Sequence, residues 1–349
     1  MKHRFLHLAV AAAVCALGSS AHAALVPAGI FNGNVGLSVD GIGSNSTPVG
    51  SVQADIPVGA TVLQAYLYSA GTPFPWYSDS PTTLAAYNGA GITLDGNAIT
   101  NFDTLVGATS TLRPDIGQWF TGRADVTSLV QSLVTGAVSN NFSWQVGEGS
   151  LNNRIDGEVL AIVYSHPSLP VGSVALLNGG QDTAGETTTV NLGAPLSDPT
   201  APGFAAELGF AISFSCCNQA STVSVNGSPV TSNAGNNDDG LAVADGSLIT
   251  VGGLGDPAAN SQSYANDREK YNLAPFFNTG DTSFSIFTRN ATGDDNIFFA
   301  SLYLTGNIRD VNPPDPNPMP EPATYALMLA ALGMLGFRGQ RRKEHDAAV

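Results

Sequence analysis

Histidine is nearly missing from this sequence. Of five, His3, His7, His22 and His345 lie in the terminal segments, which leaves His166 alone in the central body. One imidazole cannot build a His-rich zinc centre, although it can act as a general base. Because it precedes Pro167 after an apolar run, it reads as a strand-end residue. Cysteine is as scarce: Cys15 lies in the first apolar stretch, and Cys216 and Cys217 are adjacent. A vicinal disulfide there would be strained, since neighbouring Cα atoms stand about 3.8 Å apart against the usual span of roughly 4.4–6.8 Å. No serine sits in a G-x-S-x-G elbow, and no glycine-rich loop ends in Lys-Ser or Lys-Thr. The common nucleophile and phosphate-cradle signatures are therefore lacking.

Charge is sparse too. Only 12 % of residues are charged, and between Ala24 and Asp310 seven basic residues face 24 acidic ones. So acidic a body repels a phosphate backbone, which argues against nucleic acid as a partner. It suits solubility, and it can attract divalent cations or basic partners.

Long apolar runs are absent as well. Leu8–Leu17 is too short to span a bilayer, follows Lys2 and Arg4, and leads to Ala21-His22-Ala23. That order is a secretory signal peptide over residues 1–23 with an A-x-A cleavage site, so the mature chain is expected to begin at Ala24. The other apolar run, Tyr325–Phe337, has 13 residues. As a helix it would be ~20 Å long, short of a ~30 Å hydrocarbon core, and insertion would need local thinning of the bilayer. A Pro-rich spacer over residues 311–319 comes before it, Arg338, Arg341, Arg342 and Lys343 come after it, and a short tail of residues 344–349 closes the chain. Basic residues at that end favour the cytoplasmic side of the membrane.

What is abundant lies between these ends. Short runs rich in β-branched and aromatic residues recur: Thr61–Tyr68, Glu158–Tyr164, Ala205–Phe214, Thr282–Thr288 and Ile297–Thr305. Gly, Asn, Asp and Pro separate them, which is the pattern of strands and turns. Asp95-Gly96 and Asn226-Gly227 are tight-hairpin pairs. One stretch differs: Val126, Leu129, Val130, Leu133 and Val134 fall on one helical face behind Asp125, a candidate N-cap. The fold class expected is all-β, with β-sandwich or jelly-roll-like modules over residues 24–175 and 176–310 and one short amphipathic helix.

Candidate sites in the body are few. Asp238 and Asp239, and Asp294 and Asp295, form the densest carboxylate groups and offer hard oxygens to calcium. Asn and Asp also bond their own backbones in turns, and neither group has EF-hand spacing. Otherwise no cofactor is expected. Trp76, Tyr77, Trp119 and Trp144 are the aromatics available for stacking on a sugar; core packing explains each of them better, and Trp76 and Tyr77, in a Pro-flanked loop-like stretch, are the best candidates. No catalytic constellation is legible, so the expectation is a protein that is not an enzyme; a carbohydrate-binding module is the alternative, and a secreted polysaccharide-active enzyme a third reading.

The tail resembles a known family. Pro320-Glu321-Pro322-Ala323-Thr324-Tyr325, the apolar run and the basic cluster ending at Lys343 resemble the PEP-CTERM sorting signal of Gram-negative bacteria. Six residues beyond the cluster, Glu344–Val349, exceed the usual length of such tails. The resemblance implies signal peptidase and exosortase as processing partners, transit through the inner membrane, and a destination at the cell surface or in an exopolysaccharide, biofilm-associated matrix. Within the body, Ile56–Tyr68, Ala124–Thr127 and Val159–Tyr164 look like a β-rich module of bacterial surface proteins. Tyr271–Leu273, Gly280–Thr282 and Gly293–Ala300 look like a recurrent ending of exosortase-sorted proteins. Neither pattern implies a catalytic role.

Overall fold

The runs that alternate or saturate with apolar side chains pair into four antiparallel sheets. A computed structural model describes residues 24–43, 49–71, 83–109, 112, 118–151, 155–213, 220–235, 249–251, 269–293 and 296–312. These residues all belong to one compact unit.

The first inner sheet runs β2 (Val35–Gly43), β10 (Gly157–Ser165), β4 (Thr61–Gly71), β8 (Gln118–Asp125) and β7 (Phe102–Thr109). Its outer neighbour runs β3 (Val49–Asp55), β9 (Asn141–Gly147), β5 (Thr93–Leu94) and β6 (Asn97–Ala98). The second inner sheet runs β1 (Val26–Gly33), β11 (Gly172–Asn178), β19 (Asn296–Leu304), β13 (Ala206–Ser213) and β16 (Ile249–Val251), with β17 (Lys270–Asn272) also on β13. Its outer neighbour runs β15 (Ser228–Ala234), β14 (Ser221–Val225), β18 (Ser283–Asn290), β12 (Glu186–Leu192) and β20 (Ile308–Asn312).

Three apolar cores join the four layers. Leu67 and Leu160 face Val52 and Val146 in one; Leu208 and Leu302 face Val190 and Ile286 in another. The third lies between the inner sheets, where Val39, Tyr68 and Val163 meet Val174, Leu176 and Phe299. Because both of their faces are covered, β10 and β11 are buried along nearly their whole length. That is why Val159–Tyr164 is a continuous apolar run and not an alternation.

The all-β expectation holds, and the five apolar runs are β4, β10, β13, β18 and β19. Asp95 and Asn226 have φ of 48° and 51°, with Gly96 and Gly227 at 75° and 76°. Both pairs make the expected tight turns, between β5 and β6 and between β14 and β15.

Three expectations need correction. The module boundary at 175/176 falls inside β11, and β1 crosses to pair with β11, because the edge of that sheet is completed by the first strand of the chain. Helix α2 (Thr127–Val134) forms as read and packs Val130 inward, but Val126 occupies the cap position while the Asp125 carboxylate accepts the Thr127 N–H at 2.9 Å. A further helix, α1 (Leu84–Gly89), is capped by the Thr83 hydroxyl and buries Tyr87. One buried residue in fewer than two turns leaves no periodic signal to read.

Candidate functional site

The two ends of the body fix where each terminal segment leaves it. At the C-terminal end, Val190 pairs with Val311 and Thr189 with Asn312, so the outermost strand carries the chain into the tail. Val311 is buried in the core. Val311 and Asn312, the first of which is expected to open the spacer over 311–319, belong to β20, and residues 313–319 lie outside the described residues. Pro320, Glu321, Pro322, Arg338, Arg341, Arg342 and Lys343, with the apolar run 325–337, lie outside the described residues, as do residues 1–23, where the signal peptide is expected, with Ala21 and Ala23. Among the described residues no helix is long and apolar enough to cross a membrane.

Ala24 is the first described residue, and Leu25 is buried in the core. The Glu186 carboxylate accepts the Leu25 N–H at 3.4 Å and the Asp182 N–H at 2.9 Å. Burial pushes Glu186 up to about 7; the two N–H donors oppose the rise and the Asp182 charge adds to it.

A second acidic group sits where β10 begins. Glu148, Asp156 and Glu158 are each no more than 2 % exposed. Burial and then the Glu148 charge raise Glu158 well above the usual carboxylate range, against a lowering by the Ser69 side chain. No sequence signal singled these residues out, because a glutamate opening an apolar strand reads as a solvated end. Asp125 behaves oppositely: burial would raise it, but the Thr127 hydroxyl and amide, Gln64 and Arg123 hold it below the usual range. Arg123 also lies 4.6 Å over the Tyr66 ring and pairs with Asp103 at 3.2 Å.

The remaining candidates separate cleanly. His166 follows β10 as expected; its Nδ1 accepts the Ser168 N–H at 3.2 Å and lies 2.6 Å from the Ser168 hydroxyl. Trp119 and Trp144 are 1 % and 5 % exposed and pack inside. Trp76, Tyr77, Asp238, Asp239, Asp294, Asp295, Cys216 and Cys217 lie outside the described residues. Among the described residues no three His, Cys, Asp or Glu side chains are grouped to hold a metal ion.

Residues 320–343 match the family model described as the PEP-CTERM protein-sorting motif. The tail is a PEP-CTERM sorting signal. It gives the chain an address at the cell envelope and an exosortase as its processing partner. The match begins at Pro320 and ends at Lys343, so the PEP-CTERM element is confined to the tail and carries no information about the body. No curated protein and no solved structure matches the chain.

Proposed function

We propose that this chain is a non-catalytic protein of the cell surface or of an exopolysaccharide, biofilm-associated matrix. In this reading signal peptidase releases it at Ala24, the tail pauses in the inner membrane, and an exosortase processes it there. The observation that carries the proposal is the PEP-CTERM motif at residues 320–343. Support for a non-catalytic body comes from its chemistry: the raised carboxylate Glu158 and its neighbour Glu148 are sealed from any substrate, and His166 engages Ser168. A general acid or base must reach the atom it protonates, and a fully buried carboxyl does not.

The test is made in the host. Residues 320–343 are deleted, or Pro320, Glu321 and Pro322 are replaced by alanine, and surface, membrane and medium fractions are compared. The altered chain is expected to leave its normal fraction and to lose tail processing by mass. Unchanged distribution of both variants overturns the assignment. Retention of the intact chain by cell-derived polysaccharide, without turnover of it, tests the matrix role.

A further inference from the structure

The terminus expected from signal cleavage lies beside a buried carboxylate that has no cation among the described residues. Glu186 is 6 % exposed and accepts the Leu25 N–H, and among the described residues it makes no ion pair. The backbone nitrogens of consecutive residues are at most about 3.6 Å apart, so the Ala24 nitrogen lies within about 7 Å of the same oxygen. The adjoining backbone is held tightly. Gly179 has φ of 153°, and a Cβ there would stand 2.1 Å from the Ala24 carbonyl oxygen. Leu25 is locked in the core between two sheets, so Ala24 cannot drift from this place.

We propose that Glu186 is the receptor for the mature amino terminus: the α-ammonium created at Ala24 docks on its carboxylate and completes the edge of the body. The inference rests on the signal reading given above. While residue 23 is still joined, the Ala24 nitrogen is an amide without charge, and among the described residues Glu186 is buried with two backbone donors. Cleavage replaces that amide by a cation, which supplies the charge-assisted partner a buried carboxylate otherwise lacks.

The experiment uses residues 24–349 in mild detergent with a free amine at Ala24, and the same chain with Gly-Ser left before Ala24, each with Glu186 and with Glu186→Gln. With Glu186, the extension is expected to lower the thermal midpoint at pH 7 by about 2 °C or more. In E186Q the extension should cost less than half as much. Acylation of the α-amine provides a readout independent of folding yield: in the native Glu186 chain it should be at least about tenfold slower at pH 7 than in denaturant, as a one-unit rise in the amine pKa requires. Equal extension costs in both backgrounds, or native and denatured amines of equal reactivity, overturn the proposal. Amino-terminal sequencing of the exported protein separates the two ideas. A first residue other than Ala24 removes the signal reading together with the docking; Ala24 without the coupling removes the docking alone.

Discussion

Glu158 of β10 stands directly across the ladder from Ser69 of β4, and both side chains are sealed from solvent. Together with Glu148 this places acidic groups against an apolar core, where ionisation is opposed by burial and by the neighbouring charge.

That arrangement makes stability depend on pH in a defined direction. A carboxyl raised in the folded state holds its proton after the unfolded chain has released it, so stability falls as pH rises above the ordinary carboxylate value. Glu158→Gln keeps the shape and removes the ionisation. The variant should match the parent near pH 4 and melt several degrees higher near pH 8. Parallel melting curves across that range would show that Glu158 is not the group responsible.

The contact of Tyr68 with Phe299 joins the two inner sheets, their ring centroids 5.0 Å apart. Phe299→Ala removes a fully buried ring from the core between them and should cost about 3–5 kcal/mol, read by denaturant titration. Because β10 and β11 each give one face to this core and the other to a flanking core, the body should unfold in one calorimetric transition, with calorimetric and van't Hoff enthalpies in agreement. Two resolved transitions would instead mean that residues 35–165 and 172–312 are independent folding units.

How much of this was legible follows from which contacts are local. Strand runs and the turns at Asp95-Gly96 and Asn226-Gly227 are readable because φ preference and alternation are properties of neighbouring residues. The α2 stripe is readable for the same reason. The four-layer stack is not, since nothing in Val26–Gly33 states that its partner is β11, more than a hundred residues onward. Nor could spacing show that Glu158 and Glu186 are buried, because burial is decided by which sheet covers them. The tail was legible as a motif, in an order of elements that needs no fold.

Two glycines should respond oppositely to the same change. Gly227 has φ of 76° in the turn after Val225, a conformation that costs any L side chain, so Gly227→Ala should lose about 1 kcal/mol. Gly89 ends α1 without a positive φ, and a Cβ there meets nothing within 4 Å. Gly89→Ala should therefore gain up to about 1 kcal/mol through helix propensity. Equal shifts in the midpoint of chemical unfolding would contradict the backbone argument.

The sequence holds three tryptophans, and two of them, Trp119 and Trp144, are buried among strands. A Trp76→Phe variant therefore isolates the core pair. Its emission should be blue-shifted and resist iodide quenching, because an ionic quencher does not reach side chains that are 1 % and 5 % exposed. The variant also sharpens the sugar-stacking alternative. Polysaccharide binding through Trp76 and Tyr77 would alter the emission of the parent and leave that of W76F unchanged. An equal change in both would place the sugar elsewhere on the body, and no change in either, with polysaccharide at saturating concentration, would remove stacking on Trp76 as the mode of recognition.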